Sequence, residues 1–143
     1  MGEAELSMAR LLVNIDVDDL PKAVSFYTAA FSLRLGRRFG GDAVELLGAE
    51  VPIYLLAKQG GTAPFAGAPV IRDYGRHWTP VHLDFVVDDL EAAVRRAEAA
   101  GAKREAPISE HAWGRMAVLS DPFGHGVCLL QFKGRGYDEI VGP

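Results

Sequence analysis

The sequence predicts an α+β fold in which two βαβββ modules form a curled mixed sheet around a cavity. The first observation is a repeated phrase, VDDLPKAV at Val17–Val24 and VDDLEAAV at Val87–Val94, at an offset of 70 residues. The second is that each copy places an Asp between an alternating strand and apolar residues at helical spacing, which predicts a capped helix after a strand. The third is that three short strand-like runs, broken by Gly, Asp and Pro, follow each helix.

The first module starts with a strand in which Val13, Ile15 and Val17 alternate with other side chains. The helix that follows has one apolar stripe, made of Leu20, Ala23, Val24, Tyr27 and Phe31. After the helix, the pattern predicts three strands, at Leu35–Phe39, Ala43–Leu47 and Val51–Ala57.

The second module repeats this order. Its first strand carries Leu83, Phe85 and Val87 on one face, and its helix ends at Gly101 after a stripe of Leu90, Ala93, Val94 and Ala97. The later strands are predicted at Ala102–Glu105, Arg115–Ser120 and Gly126–Phe132. One module of about 60 residues would leave a sheet face uncovered, whereas two can cover each other. We therefore expect one domain over residues 1–143, with modules at 10–58 and 81–132 and a linker at 59–80.

Composition excludes several classes of function. The formal net charge is −4 and the basic residues are scattered, which argues against a nucleic-acid surface. Cys128 is the single cysteine, so no internal disulfide can form. No apolar run is long enough to cross a bilayer, and the start MGEAEL lacks the basic region of a signal peptide. We expect a cytoplasmic protein with a small-molecule partner and without nucleic-acid or membrane partners.

Strand alternation predicts which side chains face the cavity. The apolar, odd-numbered faces of the two leading strands are suited to packing under the helices. The opposite faces carry Leu12, Asn14 and Asp16 in the first module, and His82, Asp84 and Val86 in the second. Polar side chains on the inner face of a curled sheet are typical of a binding cavity.

The repeated unit resembles the vicinal oxygen chelate superfamily, which includes glyoxalase I, the extradiol dioxygenases and the bleomycin and fosfomycin resistance proteins. The resemblance is carried by VDDLPKAVSFY and VDDLEAAV after the first strand of each module. It is strengthened by LSDPFGHGVCLLQF at Leu119–Phe132, which is similar to the last hairpin of the superfamily, and by the pair Trp113 and Gly114. It covers residues 10–132 and implies a fold of the glyoxalase/bleomycin resistance type, but one scaffold hosts many chemistries.

In the superfamily, a metal is held where present by side chains of the first, fourth, fifth and last strands. The resemblance places these positions at Leu12, Tyr54, His82 and Cys128, and only His82 matches the ligand types of the metal-dependent relatives. Leu12 has no donor atom and a neutral Tyr is a poor ligand, so His82 alone would hold a divalent ion too weakly for Lewis-acid chemistry. The resemblance therefore implies no metal cofactor, and argues against glyoxalase I activity and extradiol cleavage.

Two alternatives stay open around these residues. His82, Asp84 and Cys128 offer one nitrogen, one oxygen and one sulfur donor, a set compatible with zinc; nickel and iron are further candidates for such a rearranged site. Otherwise Cys128 is a small apolar filler on a buried strand. His82 and Asp84 are also the candidate catalytic residues, as an acid or base beside its orienting carboxylate, unless they form a plain ion pair.

Our preferred hypothesis is that the protein binds a small organic molecule, as the resistance-type members do. The candidate binding residues are Asn14, Asp16, Tyr54 and Cys128 on the cavity face, and the rings of Trp78, Trp113 and Phe123 as stacking surfaces or walls. Asp16 and Asp84 together favour a positively charged guest.

The sequence leaves two rival functions. One is a lyase, isomerase or dioxygenase-type enzyme that uses His82 with a reduced metal site or without metal. The other is a protein whose cavity is filled by its own side chains and which acts through protein contacts. A homodimer is expected, with the linker serving as a lid or as an arm to the partner. His125, in the turn DPFGHG, is expected to be an ordinary surface residue.

Overall fold

A computed structural model describes residues 8–143; residues 1–7, which include the start MGEAEL and the first part of the expected domain, lie outside the described residues. The first half of the chain contains strand β1 (Val13–Val17), helix α1 (Leu20–Phe31), and strands β2 (Arg34–Phe39), β3 (Ala43–Leu47) and β4 (Ile53–Ala57). The second half contains β5 (Leu83–Val86), α2 (Leu90–Ala100), β6 (Lys103–Arg104), β7 (Ser109–His111), β8 (Gly114–Ser120) and β9 (Gly126–Phe132). A 3-10 helix follows at Gly136–Ile140.

Both helices begin where the repeated phrase predicts. The Asp19 carboxylate accepts a hydrogen bond from the backbone N–H of Lys22, and Asp89 caps the second helix through Ala92 in the same way, both at 3.1 Å. The second helix ends at Gly101, whose φ of 123° is open to glycine but strained for other residues. The two copies of VDDL therefore act as two equivalent strand-to-helix junctions.

The strands form two mixed sheets, one in each half. The first has the order β1-β4-β3-β2, and the second has β5-β9-β8-β6 with β7 also paired to β8. In each sheet the first and last strands of the module pair in parallel and the other pairs are antiparallel. The sheets are not closed into a barrel, and the predicted α+β class with two sheet-bearing modules is confirmed.

The two halves share one hydrophobic core on the helix side of the sheets. The α1 and α2 helices pack against each other, and the ring of Phe31 stacks on that of Phe85 with 4.3 Å between centroids. A buried hydrogen bond also joins the halves, because the Tyr27 hydroxyl donates to the Asp121 carboxylate at 2.5 Å. The largest fully buried side chains are Val17, Phe26, Val44, Leu46, Leu55, Leu90, Val94, Leu119, Phe123, Cys128 and Leu129.

The segment between β4 and β5 has no helix or strand, yet it is fastened to the rest of the chain. The guanidinium of Arg72 pairs with the Asp16 carboxylate at 2.8 Å, and the backbone N–H of His77 donates to the Gly124 carbonyl at 2.9 Å. The Tyr74 hydroxyl donates to the Lys58 carbonyl. The linker therefore lies over the end of β1 and over the β8–β9 turn of its own chain.

Neither helix of residues 8–143 has the length and the apolar run that a membrane crossing requires.

Candidate functional site

The burial of the two leading strands follows the predicted alternation. In β1, Ile15 and Val17 are buried in the core while Asn14 is exposed. In β5, Phe85 packs on α1, whereas Asp84 lies on the other, exposed face. In each sheet, the even-numbered side chains of the leading strand therefore lie on the face opposite the helices.

A groove of about 700 Å³ lies between the starts of these two strands, and its lining includes Leu12, Asn14, Asp16, His77, His82 and His125. A second pocket of about 460 Å³ adjoins it and shares His82, with Asp84, Glu50 and Arg96 also on its wall. The polar side chains of both pockets come mostly from strand edges and from the linker. His82 therefore lines both spaces, together with the apolar residues Val13 and Leu83.

His82, Asp84 and Cys128 form the most compact polar cluster on this face. The imidazole Nε2 of His82 is 3.2 Å from the Asp84 carboxylate. Asp84 lies directly opposite Cys128 in the parallel β5–β9 pair, and one donor atom from each of the three residues lies within 4.8 Å of the others. The sequence-based grouping of these residues thus corresponds to a spatial cluster.

The environment of Cys128 keeps its thiol protonated. Burial, and next the charge and hydrogen bonding of Asp84, raise the pKa of the Cys128 thiol to about 11. The side chain is 2% exposed. At neutral pH it is a weak nucleophile, and a metal could use its sulfur as a ligand only by displacing the proton.

His82 and Asp84 have the geometry of an acid or base with its orienting group. A carboxylate at one imidazole nitrogen fixes the ring and favours a proton on that nitrogen. Each side chain is about one-third exposed, so a molecule in the groove can reach the pair. The cluster can therefore move a proton or donate a hydrogen bond to a bound molecule.

Tyr54 belongs to a different cluster, on the first sheet. Its hydroxyl donates to the Glu45 carboxylate at 3.3 Å, and Arg37 donates to the same carboxylate through Nε and Nη2 at 3.1 and 2.7 Å. Hydrogen bonds from Arg37 lower the pKa of Glu45 to about 2. Sequence reasoning missed Glu45 and Arg37, although an acid inside the apolar strand AVELL was a signal for a paired, buried carboxylate.

Trp78 lies next to His82, a lining residue of the groove, without lining the groove itself. The two rings are 4.8 Å apart between centroids, and the Arg76 guanidinium lies 5.5 Å from the indole. The six-membered ring of the indole also lies against Gly126, where any side chain would overlap it. Trp78 remains 47% exposed, so part of its indole is accessible to a planar molecule.

The structure places two other candidate rings away from the lining of the groove. Phe123 is 1% exposed and packed in the core, because the turn after β8 folds it inward, so its side chain is not available to a ligand. Trp113 stacks on His111 at 4.8 Å and contacts Phe132 and Tyr137 beside the 3-10 helix, at a distance along β8 from the groove.

Among the polar candidates, Asn14 is exposed and its side chain makes no hydrogen bond within residues 8–143. The Asp16 carboxylate is paired with Arg72, which neutralises half of the expected acidic pair. His125 is also not an ordinary turn residue, since its Nε2 lies 2.7 Å from the Asp16 carbonyl and its Nδ1 lies 2.9 Å from His77. The groove therefore carries less negative charge, and more histidine side chains, than the sequence suggested.

Known proteins resemble this chain over most of its length. The family model of the glyoxalase-like domain matches residues 12–130. An uncharacterized protein of Mycobacterium tuberculosis (strain ATCC 25618 / H37Rv) is 33% identical over 119 residues, which cover 80% of this chain and 69% of that protein. The solved structures include the fosfomycin resistance protein FosX of Listeria monocytogenes, with a TM-score of 0.68, 16% identity, and coverage of 95% of this chain and 100% of FosX. They also include TnmS3, an antibiotic binding protein from Streptomyces sp. CB03234, with a TM-score of 0.64 and 23% identity. This match covers 90% of this chain and 98% of TnmS3.

Proposed function

Because this chain belongs to the glyoxalase-like domain family, and with it to the vicinal oxygen chelate superfamily, we propose that it binds a small organic molecule in the groove beside His82 without a complete catalytic metal site. The guest we propose is planar and at least partly aromatic. The binding surface is the exposed part of the Trp78 indole, with the His82–Asp84 pair and Asn14 as hydrogen-bonding groups.

The state of the four superfamily ligand positions carries this proposal. Leu12 has no donor atom, and the Tyr54 hydroxyl is engaged by Glu45. Cys128 is protonated, because its pKa is raised to about 11. Only His82 is an accessible ligand of the kind that zinc, nickel or iron prefers. The residues present do not fit the four-ligand metal site, so we derive no reaction step from such a metal.

The surroundings of the groove favour a flat guest over a strongly cationic one. Asp16 is neutralised by Arg72, and Asp84 already contacts His82. The indole of Trp78 offers an aromatic face, and stacking on it is worth about 0.5–1.5 kcal/mol beyond the area that it buries. The likeness to an antibiotic binding protein supports planar antibiotics as the first compounds to test.

We also propose that the protein acts in the cytoplasm as a homodimer. The groove opens beside apolar side chains that are largely exposed, since Leu11 is 63%, Leu12 51% and Val81 84% accessible to solvent. Contact with a second copy would cover this rim and deepen the groove. The single buried and unpaired Cys128 is typical of a reducing compartment.

The two tryptophans allow a direct test of binding. In Trp113→Phe, the indole fluorescence comes from Trp78 beside His82, while in Trp78→Phe it comes from Trp113 beside the 3-10 helix. Each variant is titrated with a panel of planar aromatic antibiotics and with 1-anilinonaphthalene-8-sulfonate. We expect saturable quenching in Trp113→Phe alone, and about tenfold weaker binding by calorimetry after His82→Ala, which corresponds to about 1.4 kcal/mol.

Two results would overturn the proposal. One is the absence of saturable binding in calorimetry for every compound of the panel at millimolar concentration. The other is binding whose affinity is unchanged by both Trp78→Ala and His82→Ala, since the guest would then lie elsewhere.

The compact cluster of His82, Asp84 and Cys128 favours a second candidate, an enzyme with a rearranged metal site. A metal held by nitrogen, oxygen and sulfur donors would supply a Lewis acid for lyase or isomerase chemistry on an oxygenated substrate. Metal analysis of the purified protein separates the two. Stoichiometric zinc, nickel or iron that is lost in both His82→Ala and Asp84→Asn would support the enzyme, whereas background metal in the wild type would support the metal-free binding protein.

A further inference from the structure

Two histidines from distant parts of the chain meet edge to face at the back of the groove. His77 lies in the linker and His125 in the β8–β9 turn, and their ring centroids are 4.8 Å apart. The Nε2 atom of His77 is 2.9 Å from the Nδ1 atom of His125, within hydrogen-bond distance. A hydrogen bond between two ring nitrogens needs one proton on one of the two atoms.

The other nitrogen of each ring faces an atom that can only accept. The Nδ1 atom of His77 is 2.8 Å from the Gly75 carbonyl oxygen. The Nε2 atom of His125 is 2.7 Å from the carbonyl oxygen of Asp16. Because a carbonyl has no proton to donate, both of these ring nitrogens must carry a hydrogen for the contacts to be hydrogen bonds.

The number of protons then decides whether the pair is stable. A neutral imidazole has one N–H, and each ring has already used it on a carbonyl, so two neutral rings would bring two lone pairs face to face. Two imidazolium rings would bring two N–H groups and two positive charges together. With one imidazolium and one neutral ring, all three contacts are hydrogen bonds.

We propose that His77 and His125 form a proton-dependent clasp that holds one extra proton between them and fastens the linker over the groove. His77 is attached to the turn a second time, through its backbone N–H and the Gly124 carbonyl, and Thr79 two residues on lines the same groove. When the shared proton is lost or a second one is added, the clasp weakens and this wall of the groove is released. The effect on ligand access rests on the proposed function, but the clasp itself does not.

Several charged groups around the two histidines already have other partners, so they do not compete for the shared proton. The Asp16 carboxylate on β1 is paired with Arg72, and Arg76 of the linker is paired with Glu105. In the turn, Asp121 accepts hydrogen bonds from two backbone N–H groups and from the Tyr27 hydroxyl. The remaining titratable or charged groups near the pair are Asp18, Tyr74, Asp73 and, across the groove, His82.

The pH dependence follows from the proton count. The clasp gains a proton on closing, so it is present while one imidazolium is kept and is lost as the pH rises and that proton leaves. It is lost again in acid, when the second ring charges.

Nuclear magnetic resonance of the imidazole nitrogens between pH 5 and 9 tests the proton count. In the wild type, we expect His77 and His125 to titrate together in two coupled steps, as interacting sites do. In His77→Gln and in His125→Gln, the remaining histidine should titrate in a single step. His111, which contacts Ser109 away from the groove, is the control, and His111→Gln should leave the two-step titration unchanged. Single-step titration of His77 and His125 in the wild type would overturn the proposal.

Amide hydrogen exchange tests the mechanical consequence. The backbone N–H groups of Gly61, Arg72 and His77 are hydrogen-bonded in the linker, so their protection reports its attachment. After correction for the intrinsic exchange rate, we expect protection in the wild type to fall by at least fivefold as the pair loses its proton. In His77→Gln, the side-chain amide of the glutamine can donate or accept a hydrogen bond without an extra proton. The protection of the backbone N–H groups should therefore not depend on pH in this way. An equal pH dependence in the two proteins would overturn the proposal, whether or not the groove binds a ligand.

Discussion

Replacing Tyr27 with Phe isolates the buried hydrogen bond that joins the two halves of the chain. The Tyr27 side chain is 2% exposed and its hydroxyl donates to one oxygen of Asp121, which is 5% exposed. The other oxygen of Asp121 accepts from the backbone N–H groups of Phe123 and His125, both at 2.8 Å. The substitution removes one of three donors from a buried carboxylate and leaves the ring in place.

The size of the effect follows from the charge and the burial. A hydrogen bond to a charged group contributes about 1.5–3 kcal/mol, and a buried oxygen left without its donor loses that contribution without water to replace it. We therefore expect the free energy of unfolding to fall by about 2 kcal/mol, which for a chain of this length lowers Tm by roughly 4–8 °C. Asp121→Ala, which removes the acceptor for all three donors, should cost about 4 kcal/mol.

Urea unfolding followed by circular dichroism gives the free energy, provided that the slope m is unchanged. Tyr137→Phe is the matched control, because Tyr137 is 51% exposed and its hydroxyl makes no hydrogen bond within residues 8–143. The control should stay within about 0.5 kcal/mol of the wild type. If the free energy of unfolding of Tyr27→Phe were also within about 0.5 kcal/mol of the wild type, the hydrogen bond would contribute no net stability and the reasoning would be refuted.

Three further substitutions have defined outcomes. Because Arg37 lowers the pKa of Glu45 from 4.5 to about 2, the Glu45 carboxylate stabilises the fold above pH 4.5, and that contribution is lost as the pH falls toward 2. In urea unfolding, Glu45→Gln should therefore lower the free energy of unfolding at pH 7. It should also make that free energy decrease less steeply between pH 4.5 and 2. Burial raises the pKa of Cys128 from 9.0 to about 11 and the charge of Asp84 adds to this rise, so in Asp84→Asn alkylation at pH 9, followed by mass spectrometry, should become faster. Phe31→Ala, at a side chain that is 9% exposed, should cost about 3–5 kcal/mol in the same unfolding assay.

Each of these predictions has a contrary result, and two of them have a matched control. Glu50→Gln, at an exposed acid, should leave the acid dependence unchanged, and an identical effect of both Gln variants would contradict the role of the ion pair. An alkylation rate that Asp84→Asn does not change would mean that burial alone controls the thiol. Phe65→Ala, at a ring that is 65% exposed, should lower the free energy of unfolding by less than about 0.5 kcal/mol. If Phe31→Ala lowered it by an equally small amount, the argument for the shared core would be removed.

The sequence predicted the fold because its local signals are strong and agree with each other. The caps at Asp19 and Asp89, the helix stripes and the alternating strands each depend on neighbouring residues, and a repeat supplied the same information twice. Strand β7, at Ser109–His111, was not predicted, since the segment SEH has no apolar alternation and becomes a strand only by pairing with β8. The first two strands after α1 began and ended within one residue of the predicted bounds.

The site was predictable only where it depends on strand parity. Parity and the superfamily positions identified His82, Asp84 and Cys128, which the structure brings together. Contacts of the linker have no periodic signal, so the pairing of Arg72 with Asp16, across 56 residues, and of His77 with His125, across 48, could not be inferred. The burial of Phe123 could not be inferred either, because nothing in DPFGHG indicates that the turn directs this ring into the core.

The parallel pairing of β1 with β4 and of β5 with β9 sets an order of events during synthesis. A parallel pair of strands can form only after the whole connection between them has been synthesised. The leading strand of each half therefore stays unpaired until the last strand of that half is available. The amino-terminal sheet can be completed once Ala57 has left the ribosome, about 75 residues before the carboxy-terminal sheet receives its final strand at Phe132. During that interval the helix face carrying Phe31 has no partner ring, and a nascent chain at this stage is the form that chaperones would be expected to bind.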